Sequence, residues 1–401
     1  MNKRIATVLS IALLSLRVSA QDKSFALRSD FPGGNILVDS IRNNTIFIRP
    51  DLRDTGQDWF YWYFAITPQK SDSIYFRFTR PSCLTVTGPA VSTDGGKSWD
   101  WLKTGSASPD LFTYYGKAGQ EVRFSMGMPY TEENFHSFIK PYLSHPAVRV
   151  ESLCTTPKGR SVEKLVIASP SPTGARSRQK VLITARHHSC EMMASYVLEG
   201  IVSTILSGDK QMTDLREKAE FWIIPFIDKD GVEDGDQGKA RIPRDHNRDY
   251  DGKSIYCSTG ALRNTVPAWS DGKLVAAFDL HCPWIKGNLN EHIYIVGNAN
   301  ASIAKEQEIF AKIITRNNSG EVKYDIGKGI VPFGTAWNTA GNYTQGTSFA
   351  AWASGMEGVK LSTTFEIPYS VNNGQLLNPE NLRSFGRDLA FSISRYLQNI
   401  R

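Results

Sequence analysis

Short apolar segments alternate with longer helix-like stretches over residues 129–401, and this alternation constrains the fold more than any other feature. Helices are predicted at 191–206, 301–315 and 381–398. The predicted strands are 181–184, 221–226, 274–280, 293–296 and 363–367. Apolar strands separated by helices form a mostly parallel sheet that is buried on both faces. The sequence therefore predicts an α/β domain with a mostly parallel mixed sheet covered by helices on both faces.

Residues 21–128 follow a different pattern, without long helical periodicity. Two aromatic-rich segments, 59–64 and 73–78, read as strands, and 84–87 and 121–125 are further candidates. Glycine, proline and asparagine separate these segments. We predict an all-β sandwich domain over residues 21–128, ahead of the α/β domain.

The N-terminus resembles a signal peptide. Lys3 and Arg4 precede a mostly apolar stretch, and small residues at 18–20 provide a cleavage site. A buried N-terminal helix is the less favoured interpretation. We therefore expect residues 1–20 to be removed and the protein to be secreted or periplasmic.

The net charge excludes some partners. The full chain carries +6, and loss of residues 1–20 would remove three basic residues and no acidic one, leaving +3. Such a small excess does not favour binding to nucleic acid. No later segment is apolar for long enough to span a bilayer. We expect a peptide or peptide-like substrate, no nucleic acid and no membrane span.

Candidate metal ligands follow the predicted strands. His188 and Glu191 form an H-x-x-E pair after segment 181–184, and His281 follows segment 274–280. Parallel strands end at the same edge of a sheet, so these side chains would lie close together. Zinc binds histidine and glutamate, and a catalytic zinc uses three protein ligands. An isolated H-x-x-E is a weak signal, because the tetrapeptide often arises by chance.

Further motifs in the same order strengthen this signal. The segments that carry them are 185–191 (ARHHSCE), 228–232 (DKDGV), 245–248 (DHNR), 279–281 (DLH) and 364–367 (TFEI). They resemble, in order, the zinc motif, the N-P-D-G-V turn, the D-x-N-R element, the second histidine strand and the T-x-E strand of the M14 metallocarboxypeptidases. The resemblance covers about residues 140–400.

The N-terminal part resembles one branch of that family. Segments 34–36, 59–64, 114–115 and 129–131, together with Trp101, are similar to the β-domain of cytosolic-carboxypeptidase-like (Nna1-type) members. The resemblance implies that the chain combines such a β-domain with a zinc carboxypeptidase domain.

The resemblance implies roles for the matched residues. His188, Glu191 and His281 would bind one zinc ion per chain, and Glu366 would be the general base that takes a proton from water. Asp245 would hydrogen-bond a zinc-binding histidine. The expected reaction is zinc-dependent hydrolysis of a C-terminal peptide bond.

Three further residues are candidates for substrate binding. Asn247 and Arg248 would hold the terminal carboxylate of the substrate, because an arginine fork pairs with both carboxylate oxygens. The tyrosine that covers the substrate in the family has no clear counterpart, and we select Tyr343 from the loop before Glu366.

One expected cation is missing from its usual position. The family carries an arginine nine residues before the asparagine of D-x-N-R, and this chain has Gly238 there. Lys239, Arg241 and Arg244 lie nearby in the sequence, and we select Arg241 as the catalytic replacement. If no cation fills this role, activity would be weak.

Five cysteines follow the predicted cleavage site, namely Cys83, Cys154, Cys190, Cys257 and Cys282. An odd number leaves at least one free thiol in an exported protein, and the sequence does not determine any pairing. Cys190 and Cys282 adjoin proposed ligands. One interpretation is that they provide a thiolate ligand or form a disulfide near the site. The interpretation that we favour is that they are two small buried residues.

Two other functions fit parts of the sequence. The first is a cell-wall peptide amidase or endopeptidase of the same fold. The second is a non-catalytic polymer-binding protein, which should lack a ligand or the base, whereas this chain has all four residues. Segment 92–99 (STDGGKSW) matches an Asp-box of sialidase-like propellers, but one copy predicts a structural turn, because a propeller needs repeats.

Overall fold

The computed structural model describes residues 24–103, 109–170 and 178–400. The predicted signal peptide lies outside these ranges. The helices are α1 (Glu132–Ile139), α2 (Met193–Ile205), α3 (Lys210–Lys218), α4 (Lys229–Asp234), α5 (Cys257–Ser270), α6 (Ala301–Asn317), α7 (Phe349–Ser354) and α8 (Pro379–Asn399). Short 3-10 turns lie at Lys140–Tyr142, His246–Arg248 and Ala340–Tyr343.

Two facing sheets make up the N-terminal part. Their strands are β1 (Phe25–Arg28), β2 (Leu37–Arg42), β3 (Thr45–Arg49), β4 (Tyr63–Pro68), β5 (Asp72–Phe78), β6 (Ala90–Ser92), β7 (Asp100–Trp101), β8 (Leu111–Gly116) and β9 (Val122–Ser125). The strand orders are β1-β4-β9-β6-β7 and β2-β3-β5-β8. All neighbours pair antiparallel except β3 and β5, which run parallel.

Aromatic rings fill the space between these two sheets. The Phe124 ring in the first sheet lies 5.3 Å from Phe76 and 5.2 Å from Phe112 in the second. The rings of Phe76 and Phe112 stack at 4.6 Å. Closely packed, buried rings thus contribute to the core between the two sheets, and they come from the aromatic segments of the sequence.

Two predicted strands differ from the structure. Segment 84–87 forms no strand, because Gly88 N donates to Thr85 O and Thr85 Oγ1 donates to Gly88 O, which closes a tight turn. Segment 59–64 becomes a strand only at Tyr63. Before it, the Trp62 indole donates to Cys83 O at 2.7 Å and holds the chain against that turn.

The Asp-box segment is a turn, as predicted. Asp94 accepts hydrogen bonds from the backbone amides of Lys97 and Ser98, each at 3.0 Å. The Trp99 indole donates to Gly96 O at 3.0 Å, and its ring packs 5.5 Å from Tyr63. The aspartate therefore fixes the turn and the tryptophan anchors it to the sheet.

An eight-stranded mixed sheet is the centre of the C-terminal part. Its strands are β10 (Val148–Thr155), β11 (Ser161–Ile167), β12 (Gln179–Ala185), β13 (Ala219–Ile224), β14 (Leu274–His281), β15 (Tyr294–Val296), β16 (Ile330–Val331) and β17 (Leu361–Glu366), in the order β10-β11-β13-β12-β14-β17-β15-β16. The central strands β13, β12, β14 and β17 are parallel. A small hairpin, β18 (Val371–Asn372) and β19 (Gln375–Leu376), follows.

Helices cover both faces of this sheet. Side chains of β12 alternate, so that Val181 and Ile183 join the core that includes α2, α6 and α8, whereas Leu182 joins the core that includes α5 and α7. This double burial explains the unbroken apolar runs in the sequence. Within the described ranges, no helix combines the length and apolar character needed to cross a bilayer.

The register of the central strands positions the predicted site. Asp279 lies beside Thr184 of β12 and Thr364 of β17, and His281 lies beside Glu366. The carboxyl ends of β12, β14 and β17 therefore meet at one edge, where α/β sheets place their chemistry.

Candidate metal centre and substrate cavity

Three predicted ligands converge at this edge of the sheet. The His188 Nδ1 atom lies 3.0 Å from Glu191 Oε1, and His281 Nδ1 lies 2.7 Å from Glu191 Oε2. The two Nδ1 atoms are 3.2 Å apart. His188 follows β12, Glu191 precedes α2 and His281 ends β14, so elements far apart in the sequence meet as predicted.

Asp279 fixes the orientation of His281. The His281 Nε2 atom lies 2.6 Å from Asp279 Oδ2, and the other carboxylate oxygen accepts from Thr184 Oγ1 at 2.8 Å. His187 joins the same oxygen through Nδ1 at 2.8 Å, and its Nε2 lies 2.7 Å from the Tyr250 hydroxyl. A carboxylate behind a ligating histidine sets which ring nitrogen faces the metal.

This arrangement gives Asp279 a low pKa. Burial acts to raise it, but the imidazoles of His187 and His281 outweigh burial and lower the pKa of the carboxyl. The roles of Asp279 and His187 were not predicted from the sequence. A signal was present, because residues 279 and 281 are two apart on a strand and must face the same side.

The donor set fits a zinc ion. An ionised carboxylate only accepts hydrogen bonds, so the proton of neutral His281 sits on Nε2 toward Asp279. Nδ1 then carries a lone pair 2.7 Å from Glu191 Oε2, a buried oxygen with no other hydrogen-bond partner among the described residues. Acceptors that face each other need a cation between them. Two imidazole nitrogens and one carboxylate are the ligand types of a catalytic zinc site.

Without a metal ion, protons fill this gap. Burial lowers the pKa of His281, but the carboxylates of Asp279 and Glu191 outweigh it and raise the pKa well above its usual value. Burial would raise the pKa of Glu191, yet Lys239, His281 and His188 lower it well below its usual value. A divalent cation and a proton therefore compete for the same atoms.

Glu366 stands next to this centre as the last residue of β17. It is buried, and its Oε2 atom has no hydrogen-bond partner within the described part of the chain. Burial raises its pKa to about 7, with Lys239 acting to lower it and Glu191 to raise it. A carboxylate with a pKa near neutrality suits a general base.

Asp245, the residue expected to hydrogen-bond a zinc-binding histidine, lies near His188. Its Oδ2 atom is 3.7 Å from His188 Nε2, on the side of the imidazole away from Glu191. Burial acts to raise the pKa of Asp245, and His188 outweighs it and lowers the pKa.

Asn247, Arg248 and Tyr343 line the same cavity. The Asn247 amide nitrogen is 3.2 Å from His281 Nε2, and its oxygen accepts from Phe349 N at 2.8 Å. The Arg248 guanidinium donates to Asn342 O at 3.0 Å and lies 4.9 Å over the Tyr343 ring. The structure therefore brings the three predicted substrate residues together.

The cavity has a volume of about 770 Å³ and is lined by His188, Asp245, His281 and Glu366 as well as the substrate residues. Its remaining wall is rich in aromatic rings. These belong to Trp59, Trp284, Tyr294, Phe333 and Trp337. Trp59 and its neighbour Gln57 come from the N-terminal part, which therefore contributes directly to the cavity.

The structure does not bring Arg241 to this cavity. Its guanidinium pairs with Asp228 at 2.7 Å, Asp54 at 2.9 Å and Asp236 at 3.2 Å, and it is absent from the lining. Burial lowers its pKa, but the carboxylates outweigh burial and raise it. These three carboxylates hold the side chain away from the metal ligands, so the choice of Arg241 needs correction.

Of the three basic residues that follow Gly238, Lys239 is the one that lines the cavity. Its Nζ atom lies 2.6 Å from Glu191 Oε1, donates to Cys282 O at 3.1 Å and sits 4.9 Å over the Trp59 ring. The preceding Gly238 has φ +74°, and a Cβ there would lie 2.3 Å from Ser189 N. An arginine at position 238 therefore does not fit this turn.

Cys190 and Cys282 are buried side chains beside the ligands. Burial raises the pKa of Cys190 to about 12, and its sulfur lies 3.7 Å from the Tyr369 hydroxyl. Burial also raises the pKa of Cys282 well above its usual value. Both therefore carry protons at neutral pH, in agreement with the interpretation as small buried residues.

Comparison with known proteins relates part of the chain to a family. The zinc carboxypeptidase family, peptidase M14, matches residues 141–272. Cytosolic carboxypeptidase 6 of Caenorhabditis elegans is 24% identical over 79% of this chain and 74% of the relative. Cytosolic carboxypeptidase 3 of mouse is 24% identical over 74% of this chain, which spans only 33% of that protein.

Solved structures share the fold. A metallo-carboxypeptidase from Burkholderia cenocepacia superposes with a TM-score of 0.75 at 20% identity, covering 94% of this chain and 99% of that one. A metallo-carboxypeptidase from Pseudomonas aeruginosa, in complex with (2-guanidinoethylmercapto)succinic acid, gives 0.72 at 19% identity over 94% and 100%. By the match over residues 141–272, and by its likeness to carboxypeptidases in sequence and fold, the chain carries a zinc carboxypeptidase (peptidase M14) domain.

Proposed function

We propose that this protein is a zinc-dependent metallocarboxypeptidase that hydrolyses the C-terminal amide bond of a peptide. The observation that carries the proposal is the convergence of His188, Glu191 and His281 at a cavity that also contains Glu366 and Arg248. Ligands, base and a carboxylate-binding cation are the parts that such a reaction needs.

The metal ligands and Glu366 have different roles in the proposed hydrolysis. A zinc ion bound by the three ligands would polarise the scissile carbonyl and lower the pKa of water. Glu366 takes the proton of the attacking water and returns it to the leaving amine, because its raised pKa allows both steps near neutrality.

Recognition of the substrate terminus falls to Arg248 and Asn247. Arg248 forms a fork that pairs with both oxygens of a terminal carboxylate. Its hydrogen-bond partners, Asn247 O and Asn342 O, are backbone carbonyls, so a substrate carboxylate would not have to displace an acidic side chain that is hydrogen-bonded to it. Asn247 is held by Phe349 N and presents its amide group beside it.

Lys239 takes the place of the family arginine in this proposal. Its ammonium group lies in the cavity beside Glu191 and Glu366, and both carboxylates contribute to raising its pKa, although burial opposes them. A fixed cation near the scissile carbonyl stabilises the negative charge that develops there.

Activity and metal content test the proposal together. The purified protein should contain one zinc per chain by mass spectrometry of metals. It should release single residues from peptides with a free C-terminus and leave amidated peptides intact, with Glu366→Gln as the control. Release from muropeptides alone would favour the cell-wall amidase, and zinc-free protein without turnover on any substrate would favour the binding protein.

We also propose export, on the basis of residues 1–20. The curated relatives are named cytosolic carboxypeptidases, and these names favour the cytosol instead. The mass of the mature N-terminus, measured on protein from its native cells, distinguishes the two. A chain that begins at residue 21 supports export, and a chain that retains residues 1–20 contradicts it.

A further inference from the structure

Two cysteines lie against each other at the edge of the central sheet. Cys154 belongs to the edge strand β10, and Cys257 is the first residue of α5. Their sulfur atoms are 2.7 Å apart, although 103 positions separate them in the sequence. Such proximity requires the fold, because nothing in the local sequence brings the two side chains together.

The surroundings of Cys154 and Cys257 favour reaction of their thiols. Both cysteines are only partly buried, so a reagent in solvent can reach them. The contact with Cys154 lowers the pKa of Cys257, against burial and the charge of Asp230, and backbone amides at the start of α5 act in the same direction. A helix N-terminus favours the thiolate, which is the reactive form of cysteine.

The other three cysteines differ in exposure. Cys83, Cys190 and Cys282 are buried. A dissolved oxidant therefore does not reach their sulfur atoms in the folded protein.

We propose that Cys154 and Cys257 form a disulfide bond when the folded protein meets a disulfide oxidant, while the three buried cysteines stay reduced. The Cys257 thiolate attacks one sulfur of the oxidant, which forms a mixed disulfide and releases one thiolate. Cys154 then loses its proton and attacks the Cys257 sulfur, which releases the second thiolate. Two protein thiols lose two protons and two electrons, and the oxidant gains both electrons as it becomes two thiols.

The bond would tie the start of α5 to the edge of the sheet. The segment between the two cysteines carries His188, Glu191 and Asp245, together with the substrate residues at 247 and 248. A cross-link that closes a long loop stabilises a fold mainly by restricting the unfolded chain. The proposal does not depend on the proposed function, because no ligand or base is a cysteine.

Peptide mapping tests the bond directly. Folded protein is incubated with oxidised glutathione, blocked with iodoacetamide and digested with trypsin without reduction. Cleavage yields peptides 150–158 and 254–263, each with a single cysteine. We expect one species that contains both peptides and separates on reduction. Alkylation of both cysteines, or a link from either one to a different cysteine, would overturn the proposal.

Thermal unfolding gives a second measurement. Reduction of the oxidised protein should lower its Tm by about 5 °C, because a loop of this length contributes several degrees in a chain of this size. The double variant C154A/C257A is the matched control, and its Tm should not respond to reductant. An equal response of the variant and the natural sequence would contradict the assignment to this pair.

Discussion

The metal side and the substrate side of the cavity are built in different ways. His281 and Glu366 are the last residues of paired strands, lie in register and are buried. Arg248 and Tyr343 lie on 3-10 turns, are partly exposed and contact each other through a ring and a guanidinium. The sheet therefore fixes His281 and Glu366, whereas turns present the groups that we propose recognise the substrate. Substitutions on the first side should stop the reaction, and those on the second should weaken binding.

Loss of a metal ligand should have the largest effect. We expect Glu191→Ala to lose bound zinc and all measurable hydrolysis, because its carboxylate contacts both imidazoles. Metal content and turnover are measured on the same preparation. Stoichiometric zinc in this variant would remove Glu191 from the site.

A second cluster provides the matched control for that experiment. Glu132, His136 and Glu163 also gather three possible ligands, but the Lys229 ammonium lies 2.7 Å from Glu163 and 3.1 Å from Glu132. None of these three residues lines the cavity that contains His188, His281 and Glu366. His136→Ala should therefore keep its zinc and its activity.

Glu366→Gln should separate chemistry from metal binding on the metal side. The amide cannot accept the proton of water, so kcat should fall by about 10²–10⁴. Glu366 is not a ligand in the proposed site, so zinc should remain stoichiometric. Turnover close to that of the natural sequence would exclude Glu366 as the base.

Substitutions of Lys239 and Arg241 test which of the two residues replaces the family arginine. We expect Lys239→Met to lower kcat by about 10²–10³ at saturating zinc, the size of effect found for one group that stabilises an oxyanion. Arg241→Met should keep kcat but lose stability, by about 3 kcal/mol, because it leaves the buried Asp228 without its partner. Urea unfolding and kcat are measured for both. The reverse pattern would restore Arg241 to the catalytic role.

Arg248→Lys should have a smaller effect, confined to binding. Lysine keeps the charge but loses the fork, so KM for a peptide with a free C-terminus should rise about tenfold while kcat changes little. Arg316→Lys on the exposed face of α6 is the matched control. A fall in kcat with unchanged KM would place Arg248 on the metal side of the comparison.

The sequence predicted most of the residues that line the cavity but chose the wrong cation, for a physical reason. Apolar runs located β12, β14 and β17, and strand ends must meet in a parallel sheet, so His188, His281 and Glu366 could be placed together. Whether Lys239 or Arg241 faces the cavity depends on the left-handed turn at Gly238. The amino-acid sequence does not show in which direction the side chains after such a turn point.

The same limit applies to long-range pairs. The contact of Cys154 with Cys257 joins an edge strand to a helix start, and no periodicity predicts it. Segment 84–87 had the composition of a strand, yet side-chain and backbone hydrogen bonds within Thr85–Gly88 favoured a turn. Local patterns predicted most of the elements, and the parallel sheet predicted which strand ends meet, whereas the contact of Cys154 with Cys257 required the structure.

The pH dependence of kcat/KM is the test of this comparison with the smallest expected effect. Burial raises the pKa of Glu366 to about 7, and a base works only when deprotonated, so kcat/KM should fall about tenfold per unit below the inflection. The positive charge of zinc favours the carboxylate, which places the inflection at or below pH 7. A profile of kcat/KM from pH 5 to 8 at constant zinc occupancy measures it. Arg248→Lys should keep this inflection, because the substrate side carries no titrating base, whereas a shifted inflection would show that the two sides are electrostatically coupled.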